Sequence, residues 1–171
     1  MYRDAENQII FHPFAPICDE NSQILILGSF PSAQSRETGF YYAHPRNRFW
    51  KVISQLTGNF EVLGTTKEKI DFLLNNRIAV WDVIKACEVK GSSDASIKNV
   101  ITNDIKSLVS NYKIKKLYAN GNLAYSLYVK HSFNKTGIDI IKLPSTSPAN
   151  ARYSLDMLIS LWSVICPFIK Q

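Results

Sequence analysis

Residues 24–50 read ILILGSFPSAQSRETGFYYAHPRNRFW, and the rest of the chain is organised around this stretch. Its first four residues are apolar, and a short apolar run that ends in a Gly-x-x-Pro sequence predicts a buried strand, here over residues 23–28, followed by a long loop. The loop combines flat aromatic side chains, an amide and positive charge, which suit a nucleobase and a phosphate. Ligands of open α/β sheets bind beyond the carboxyl ends of the strands, so we expect function in this loop.

The remaining sequence alternates between helical and strand patterns. Apolar residues at helical spacing predict helices over residues 47–56, 67–76, 97–110, 122–131 and 154–168, and apolar runs between turn residues predict strands over 78–83, 113–120 and 138–144. Residues 87–96 predict a polar loop, with Ser96 capping the next helix. This alternation favours an α/β fold with a central, mainly parallel four-stranded sheet flanked by helices. We expect one domain over residues 1–171, with residues 1–23 as an N-terminal arm.

The composition indicates a globular protein, because 46% of the residues are hydrophobic and 20% are charged. Lys and Arg number 20 against 14 Asp and Glu, and this balance of +6 allows a nucleic-acid partner without requiring one. The start, MYRDAENQ, differs from a signal peptide and no apolar run could span a bilayer, so a cytoplasmic location without a membrane partner is expected. The three cysteines are isolated in the sequence, so neither a metal nor a cofactor is expected.

The predicted strands end in four short sequences that should meet at one edge of the sheet. They are GSFPS at residues 28–32, WDV around Asp82, NG at residues 120–121 and LPSTSP at residues 143–148. Small residues and hydroxyls in two of these loops allow a phosphate chain to approach the backbone closely. The stiff PSTSP segment would press against a DNA backbone, or else form an ordinary strand-to-helix turn.

These sequences together resemble the uracil-DNA glycosylase superfamily. GFYYAHPRNRFW is similar to the corresponding stretch of the mismatch-specific uracil glycosylases, whereas Phe30 stands where those relatives carry Asn and the broad uracil enzymes carry Asp. The chain instead resembles the hypoxanthine (deoxyinosine) DNA glycosylase branch, through GSFPS, Asn47 and LPSTSP. The resemblance covers nearly the whole chain and implies a three-layer sandwich.

The resemblance implies a monofunctional DNA glycosylase of base-excision repair, which hydrolyses the N-glycosidic bond of a deaminated base. Hypoxanthine is the expected base, with uracil in mispairs as a second substrate. Leu143 replaces a His of the broad uracil enzymes and cannot donate a hydrogen bond to the leaving oxygen, which lowers the expected uracil activity. There are three alternatives: a G:U/T mismatch-type uracil glycosylase, a damage-binding module without turnover, and another hydrolase or transferase of nucleotides or sugar phosphates. The enzyme is expected to act as a monomer on damaged DNA, and to be nucleoid-associated when bound.

Asn47 is the expected catalytic residue, since an amide can both donate and accept hydrogen bonds at the leaving base. The alternative is that it caps the helix that follows, and the two roles could coexist. Tyr42 matches the position where relatives stack an aromatic ring on the extruded base, with a core aromatic as the alternative. Asp82 could accept a hydrogen bond from an N–H of hypoxanthine or uracil, or cap a turn. The expected base pocket is completed by Gly28, Ser29, Phe30 and Asn120.

Contacts to the DNA backbone are expected from both loops and from the residues near them. His44 is assigned a structural or phosphate role because the resemblance implies no catalytic role for it, and Arg152 would meet a phosphate or fill the gap left by a flipped base. The expected DNA-binding residues are Pro31, Ser32, His44, Arg46, Pro144, Ser145, Thr146, Ser147, Pro148 and Arg152.

Overall fold

The computed structural model describes residues 8–59, 64–89 and 97–169 of the chain. The strands in these residues are β1 (Gln8–Phe11), β2 (Ile24–Gly28), β3 (Ile78–Asp82), β4 (Ile84–Val89), β5 (Lys98–Thr102), β6 (Lys116–Asn120) and β7 (Ile140–Leu143). The helices are α1 (Ala33–Thr38), α2 (Phe49–Leu56), α3 (Thr66–Asn75), α4 (Ile105–Asn111), α5 (Asn122–His131), α6 (Phe133–Thr136) and α7 (Leu155–Trp162), and a 3₁₀ helix (Ser163–Phe168) follows α7.

The central sheet has four strands in the order β3-β2-β6-β7, and every neighbouring pair is parallel. Strand β2 lies inside the sheet and all five of its residues are buried. Alternate side chains of a strand point to opposite faces, so the continuous apolar run of β2 supplies two separate cores. The predicted α/β fold with a parallel four-stranded sheet is confirmed.

Each face of the central sheet carries its own layer. Ile24 and Ile26 of β2 belong to a core completed by α2, α3 and α7, whereas Leu25 and Leu27 belong to a core completed by α4, α5 and β4. Phe49 of α2 is fully buried in the first of these cores. These layers form the predicted three-layer sandwich and leave the carboxyl ends of the four strands at one edge.

A second sheet with the order β1-β4-β5 is antiparallel and was not predicted. The prediction of a helix over residues 97–110 is wrong for residues 98–102, which form β5. The helix α4 begins at Ile105, and Asp104 caps it by accepting a hydrogen bond from the Ser107 backbone N–H. Ile101 would lie on the apolar stripe of the predicted helix, but in β5 it is 58% exposed. The predicted loop over residues 87–96 is wrong for its first three residues, which belong to β4; Ser96 lies outside the described residues.

Two further elements differ from the predicted loop and arm. Within the long loop after β2, Ser32 accepts a hydrogen bond from the Ser35 backbone N–H and starts helix α1, and Gly39 ends that helix with a φ of 73°. In the predicted arm, Gln8–Phe11 forms β1 and pairs with β4, while residues 1–7 lie outside the described part. The helix predicted over residues 154–168 changes to a 3₁₀ helix after Trp162.

Candidate active site

A cavity of about 110 Å³ lies where the carboxyl ends of β2, β3 and β6 meet the loop that follows β7. It brings together many of the side chains predicted for the site, drawn from all four loops. The predicted residues that line it are Gly28, Ser29, Phe30, Pro31, Ser32, Tyr42, Asn47, Asp82, Asn120, Ser145, Thr146 and Ser147. Pro144 and Arg152 instead line a separate groove of about 700 Å³, which shares Ser145 and Ser147 with the cavity.

Asn47 stands at the start of α2 and lines the cavity. Its Oδ1 accepts a hydrogen bond from the Phe49 backbone N–H at 3.0 Å and so pairs one N–H of the first turn, although the N-cap residue of α2 is Arg48. Among the described residues, no hydrogen-bond partner is found for its Nδ2. The amide is therefore held by its acceptor end, and its donor end is free to act on a ligand. Its catalytic role stays a prediction.

Tyr42 presents an aromatic surface to the cavity and is held there by stacking. Its ring stacks on that of Phe49, with 4.0 Å between the ring centroids and 21° between the planes. The Tyr42 hydroxyl is buried and has no hydrogen-bond partner within the described residues. Burial, and then the negative charge of Asp82, raise the pKa of Tyr42 well above its ordinary value, so the ring is neutral.

The GSFPS loop is held rigidly by Arg36 of α1. Arg36 Nη1 donates a hydrogen bond to the Pro31 carbonyl at 2.7 Å, and its guanidinium lies 5.6 Å from the centroid of the Phe30 ring. Phe30 itself is buried. The position where many relatives were expected to carry a polar catalytic group is therefore an apolar wall in this chain.

Asp82 enters the cavity beside Gly28 and is only 3% exposed. A Cβ atom at Gly28 would lie 2.1 Å from Asp82 Oδ1, so only glycine leaves room for this carboxylate. The alternative that Asp82 caps the following turn is wrong, since the backbone N–H groups of Val83 and Ile84 donate to the carbonyls of Gly28 and Ser29. Asp82 Oδ2 instead pairs with His12 Nε2 at 2.7 Å.

His12 was missed by the sequence analysis. It lies in the segment FHPFAP, which predicts aromatic packing, and its partner Asp82 is 70 residues further along the chain. A buried strand end that carries an unpaired Asp is the signal that could have prompted a search for such a partner, because a buried carboxylate needs one.

The loop after β7 is fixed by two polar anchors. The Asn120 amide donates to Thr146 Oγ1 and accepts from the Thr146 backbone N–H, both at 2.9 Å. Both ends of this predicted base-pocket amide are thus bonded to the loop. Arg48, also missed from the sequence, donates side-chain hydrogen bonds to four backbone carbonyls of the same loop, namely those of Thr146, Ser147, Asn150 and Tyr153.

Of the other predicted DNA-binding residues, His44 and Arg46 come just before Asn47 in the chain, and Arg152 lies in the separate groove. His44 Nδ1 accepts a hydrogen bond from the Arg46 backbone N–H at 3.1 Å, which stabilises a local turn. Arg46 is exposed, and so is Arg152, whose guanidinium lies 5.4 Å from the centroid of the Tyr153 ring. These positions leave both cations accessible to a polyanion.

The described residues contain no group of three or more His, Cys, Asp or Glu side chains that could hold a metal ion. None of the side chains that line the described cavity belongs to a lysine. In the same part of the chain, no helix is both long and apolar enough to cross a lipid bilayer.

The fold and site define a class of protein. It is a three-layer α/β protein whose cavity, at the carboxyl edge of a parallel sheet, is lined by aromatic, amide and carboxylate side chains. The family model described as "Uracil DNA glycosylase superfamily" matches residues 15–165. The chain belongs to the uracil-DNA glycosylase superfamily.

Relatives with curated names give a finer likeness. The chain is 36% identical over 143 residues to the hypoxanthine DNA glycosylase of Methanosarcina acetivorans, a match that covers 82% of this chain and 89% of that protein. It is 33% identical over 153 residues to the hypoxanthine DNA glycosylase of Methanosarcina barkeri, over 88% and 94% of the two chains. The solution NMR structure of a Methanosarcina acetivorans protein described as a candidate uracil DNA glycosylase has a TM-score of 0.80 and 33% identity, covering 94% and 99%.

Proposed function

We propose that this protein is a monofunctional DNA glycosylase that hydrolyses the N-glycosidic bond of hypoxanthine in damaged DNA. The observation that carries the proposal is the cavity in which Asn47, the stacked Tyr42 and the buried Asp82 face one small space. The name shared by the two Methanosarcina relatives supports hypoxanthine as the base. The loops of small and hydroxylated residues around the cavity support DNA as the substrate.

The reaction breaks the bond between C1′ of the sugar and N9 of the purine, and the electron pair of that bond leaves with the base. Positive charge develops on the sugar and negative charge on the base, so a hydrogen-bond donor aimed at the base accelerates departure. Asn47 can supply this donor from Nδ2, because Oδ1 is bonded to the Phe49 N–H and fixes the amide. Water attacks C1′, its oxygen bonds to the sugar and its proton neutralises the departed base anion, so the products are a free neutral base and an abasic site.

The aromatic side chains suit a base that has left the DNA stack. An enzyme that acts on a base in duplex DNA must extrude the nucleotide into its site. Tyr42 already stacks on Phe49 with one face, and its neutral ring offers the other face to the extruded base. Phe30 closes the pocket as an apolar wall that excludes water.

Asp82 is suited to reading the edge of the base. An ionised carboxylate can only accept hydrogen bonds, and hypoxanthine offers N1–H at the edge that distinguishes it from adenine. Uracil offers N3–H in the same way, so it is the second candidate substrate. The role of Asn120 in the pocket is indirect, since its amide holds Thr146.

The rim residues suit the DNA backbone on either side of the flipped nucleotide. Arg46 is an exposed cation next to Asn47 in the chain, Arg152 is an exposed cation in the separate groove, and the serines of the two loops offer hydroxyls to phosphates. The protein is proposed to act as a single domain and a monomer, in the cytoplasm and bound to the nucleoid DNA.

The test is a panel of duplexes that carry hypoxanthine, uracil, xanthine or a thymine mispair at one position. Excision leaves an alkali-sensitive strand, and we expect hypoxanthine to be excised at least as well as uracil, because Phe30 and Leu143 replace polar groups expected of uracil enzymes. Faster excision of uracil than of hypoxanthine, especially from single strands, would reassign the chain to the uracil-specific enzymes. Tight binding of the lesion duplexes without any alkali-sensitive product would indicate a binding module.

A further inference from the structure

His12 connects the N-terminal segment to the cavity through a buried polar contact. Its side chain is 2% exposed, its backbone N–H donates to the Lys85 carbonyl of β4, and its Nε2 lies 2.7 Å from Asp82 Oδ2. Its ring packs among aromatic side chains, and its Nε2 also makes a polar contact with a buried carboxylate. The polar contact therefore calls for a reason beyond packing.

The imidazole is held in one orientation by its other nitrogen. Nδ1 lies 3.1 Å from the Phe14 backbone N and 3.0 Å from the Phe14 carbonyl O, so it has a partner whether it accepts or donates. The rings of Phe14, Phe30 and Tyr41 surround the imidazole at centroid distances of 5.4, 6.1 and 6.0 Å. With Phe14 N–H donating to Nδ1, the proton lies on Nε2 and is directed at Asp82.

The two carboxylate oxygens of Asp82 have different surroundings. Oδ2 is occupied by His12, whereas Oδ1 lies beside the Cα of Gly28 at the cavity and has no hydrogen-bond partner within the described residues. A buried carboxylate without a partner is costly and would turn toward any available donor. His12 removes that freedom and leaves Oδ1 available for a ligand.

We propose that His12 is a positioning residue for base selection: it fixes Asp82 so that Oδ1 accepts a hydrogen bond from N1–H of the extruded base. The inference rests on the proposed function. Hypoxanthine satisfies Oδ1, whereas N1 of adenine carries a lone pair that a carboxylate oxygen repels. A site built around a substrate N–H rejects analogues that lack it, because the buried acceptor is then left unpaired. His12 thereby protects undamaged adenine from excision.

The experiment compares two amide variants that differ by one methylene group. In His12→Gln the side-chain amide can occupy the position of Nε2 and still donate a hydrogen bond to Asp82. In His12→Asn the shorter side chain places its amide at the position of Nδ1, so the hydrogen bond to Asp82 is lost. Single-turnover excision is measured on matched duplexes that carry hypoxanthine or unsubstituted purine, which lacks N1–H. We expect the hypoxanthine-to-purine rate ratio to fall about tenfold or more in His12→Asn and to stay within about threefold of wild type in His12→Gln.

Two controls separate positioning from loss of structure. Phe14→Leu loosens the packing around the imidazole without removing either hydrogen-bonding group, and we expect it to leave the rate ratio unchanged. In an Asp82→Asn background, adding His12→Asn should change the ratio by less than about twofold, because a residue that acts through Asp82 has no further effect once Asp82 is replaced.

Equal ratios in His12→Gln and His12→Asn, or a full additional loss in the Asp82→Asn background, would overturn the inference and leave His12 a packing residue. These outcomes leave the proposed function intact, since wild type still releases hypoxanthine. A wild-type protein that releases no hypoxanthine would instead refute the proposed function itself.

Discussion

Replacing Asn47 separates its two roles at the start of α2. Asn47→Ala removes both the Oδ1 acceptor, which bonds to the Phe49 N–H at 3.0 Å, and the Nδ2 donor, which has no partner within the described residues. The first loss should affect stability and the second should affect catalysis. Asn47→Asp is the matched variant, because it retains an acceptor for the Phe49 N–H but has no donor.

The two losses have different expected sizes. Loss of a helix cap costs about 0.5–2 kcal/mol of the free energy of unfolding, and each kcal/mol lowers the melting temperature of a domain of this size by about 2–4 °C. Loss of one preorganised donor raises the activation free energy by about 2–4 kcal/mol, which slows the single-turnover rate by about 30- to 1,000-fold. Binding of lesion DNA should change little, because the donor acts mainly on charge that develops as the bond breaks.

Single-turnover excision of hypoxanthine, thermal melting and lesion binding are measured on wild type and both variants. We expect Asn47→Ala to be slower and less stable, and Asn47→Asp to be slower yet as stable as wild type, because a negative charge also suits a helix N-terminus. If Asn47→Ala keeps its rate and melts several degrees lower, Asn47 is a helix cap and the catalytic assignment is wrong. If Asn47→Asp keeps its rate, the essential group is the acceptor and not the donor.

Two further variants and two reagents test the other parts of the proposed mechanism. Gly28→Ala places a Cβ atom 2.1 Å from Asp82 Oδ1, so excision should be lost while circular dichroism stays that of the wild type; retained excision would show that Asp82 is not needed in its present position. Arg152→Ala removes an exposed cation, so DNA binding should weaken. The slope of the logarithm of the binding constant against log salt should become less negative by about 0.9, and an unchanged slope would place Arg152 away from the phosphates. A chelator should leave excision unaffected, because the described residues contain no group of side chains that could hold a metal ion. Borohydride should trap no adduct, because no lysine lines the described cavity, and a trapped adduct would contradict a monofunctional mechanism.

The central sheet could be predicted because its signals are local. Strand β2 is a run of apolar residues with all five residues buried, and β2, β6 and β7 end before Ser29, Gly121 and Pro144, which favour turns. Since parallel strands end at the same edge, the four loops were expected to meet, and the cavity lies there. The site could be located in this way from the order of elements alone.

The second sheet and the His12–Asp82 pair depend on contacts that are distant in sequence. Strand β1 pairs with β4, which lies more than 70 residues away in the chain. Ile101 of β5 fits the apolar spacing of a helix as well as that of a strand, and only the structure shows that it is exposed. His12 sits among aromatic residues and resembles a packed side chain until Asp82 is placed beside it. Neither periodicity nor turn chemistry encodes such pairings, since both describe only neighbouring residues.

The central claim is that the chain hydrolyses the glycosidic bond of deoxyinosine, and the identity of the released product tests it most directly. Wild-type protein in excess is incubated with a duplex that contains one deoxyinosine, and the small-molecule products are separated from the strands and identified. We predict one free hypoxanthine per duplex and an abasic strand that stays intact until alkali is added. Release of a nucleoside or nucleotide, a strand break that retains the base, or a bound duplex without any released base would contradict the account.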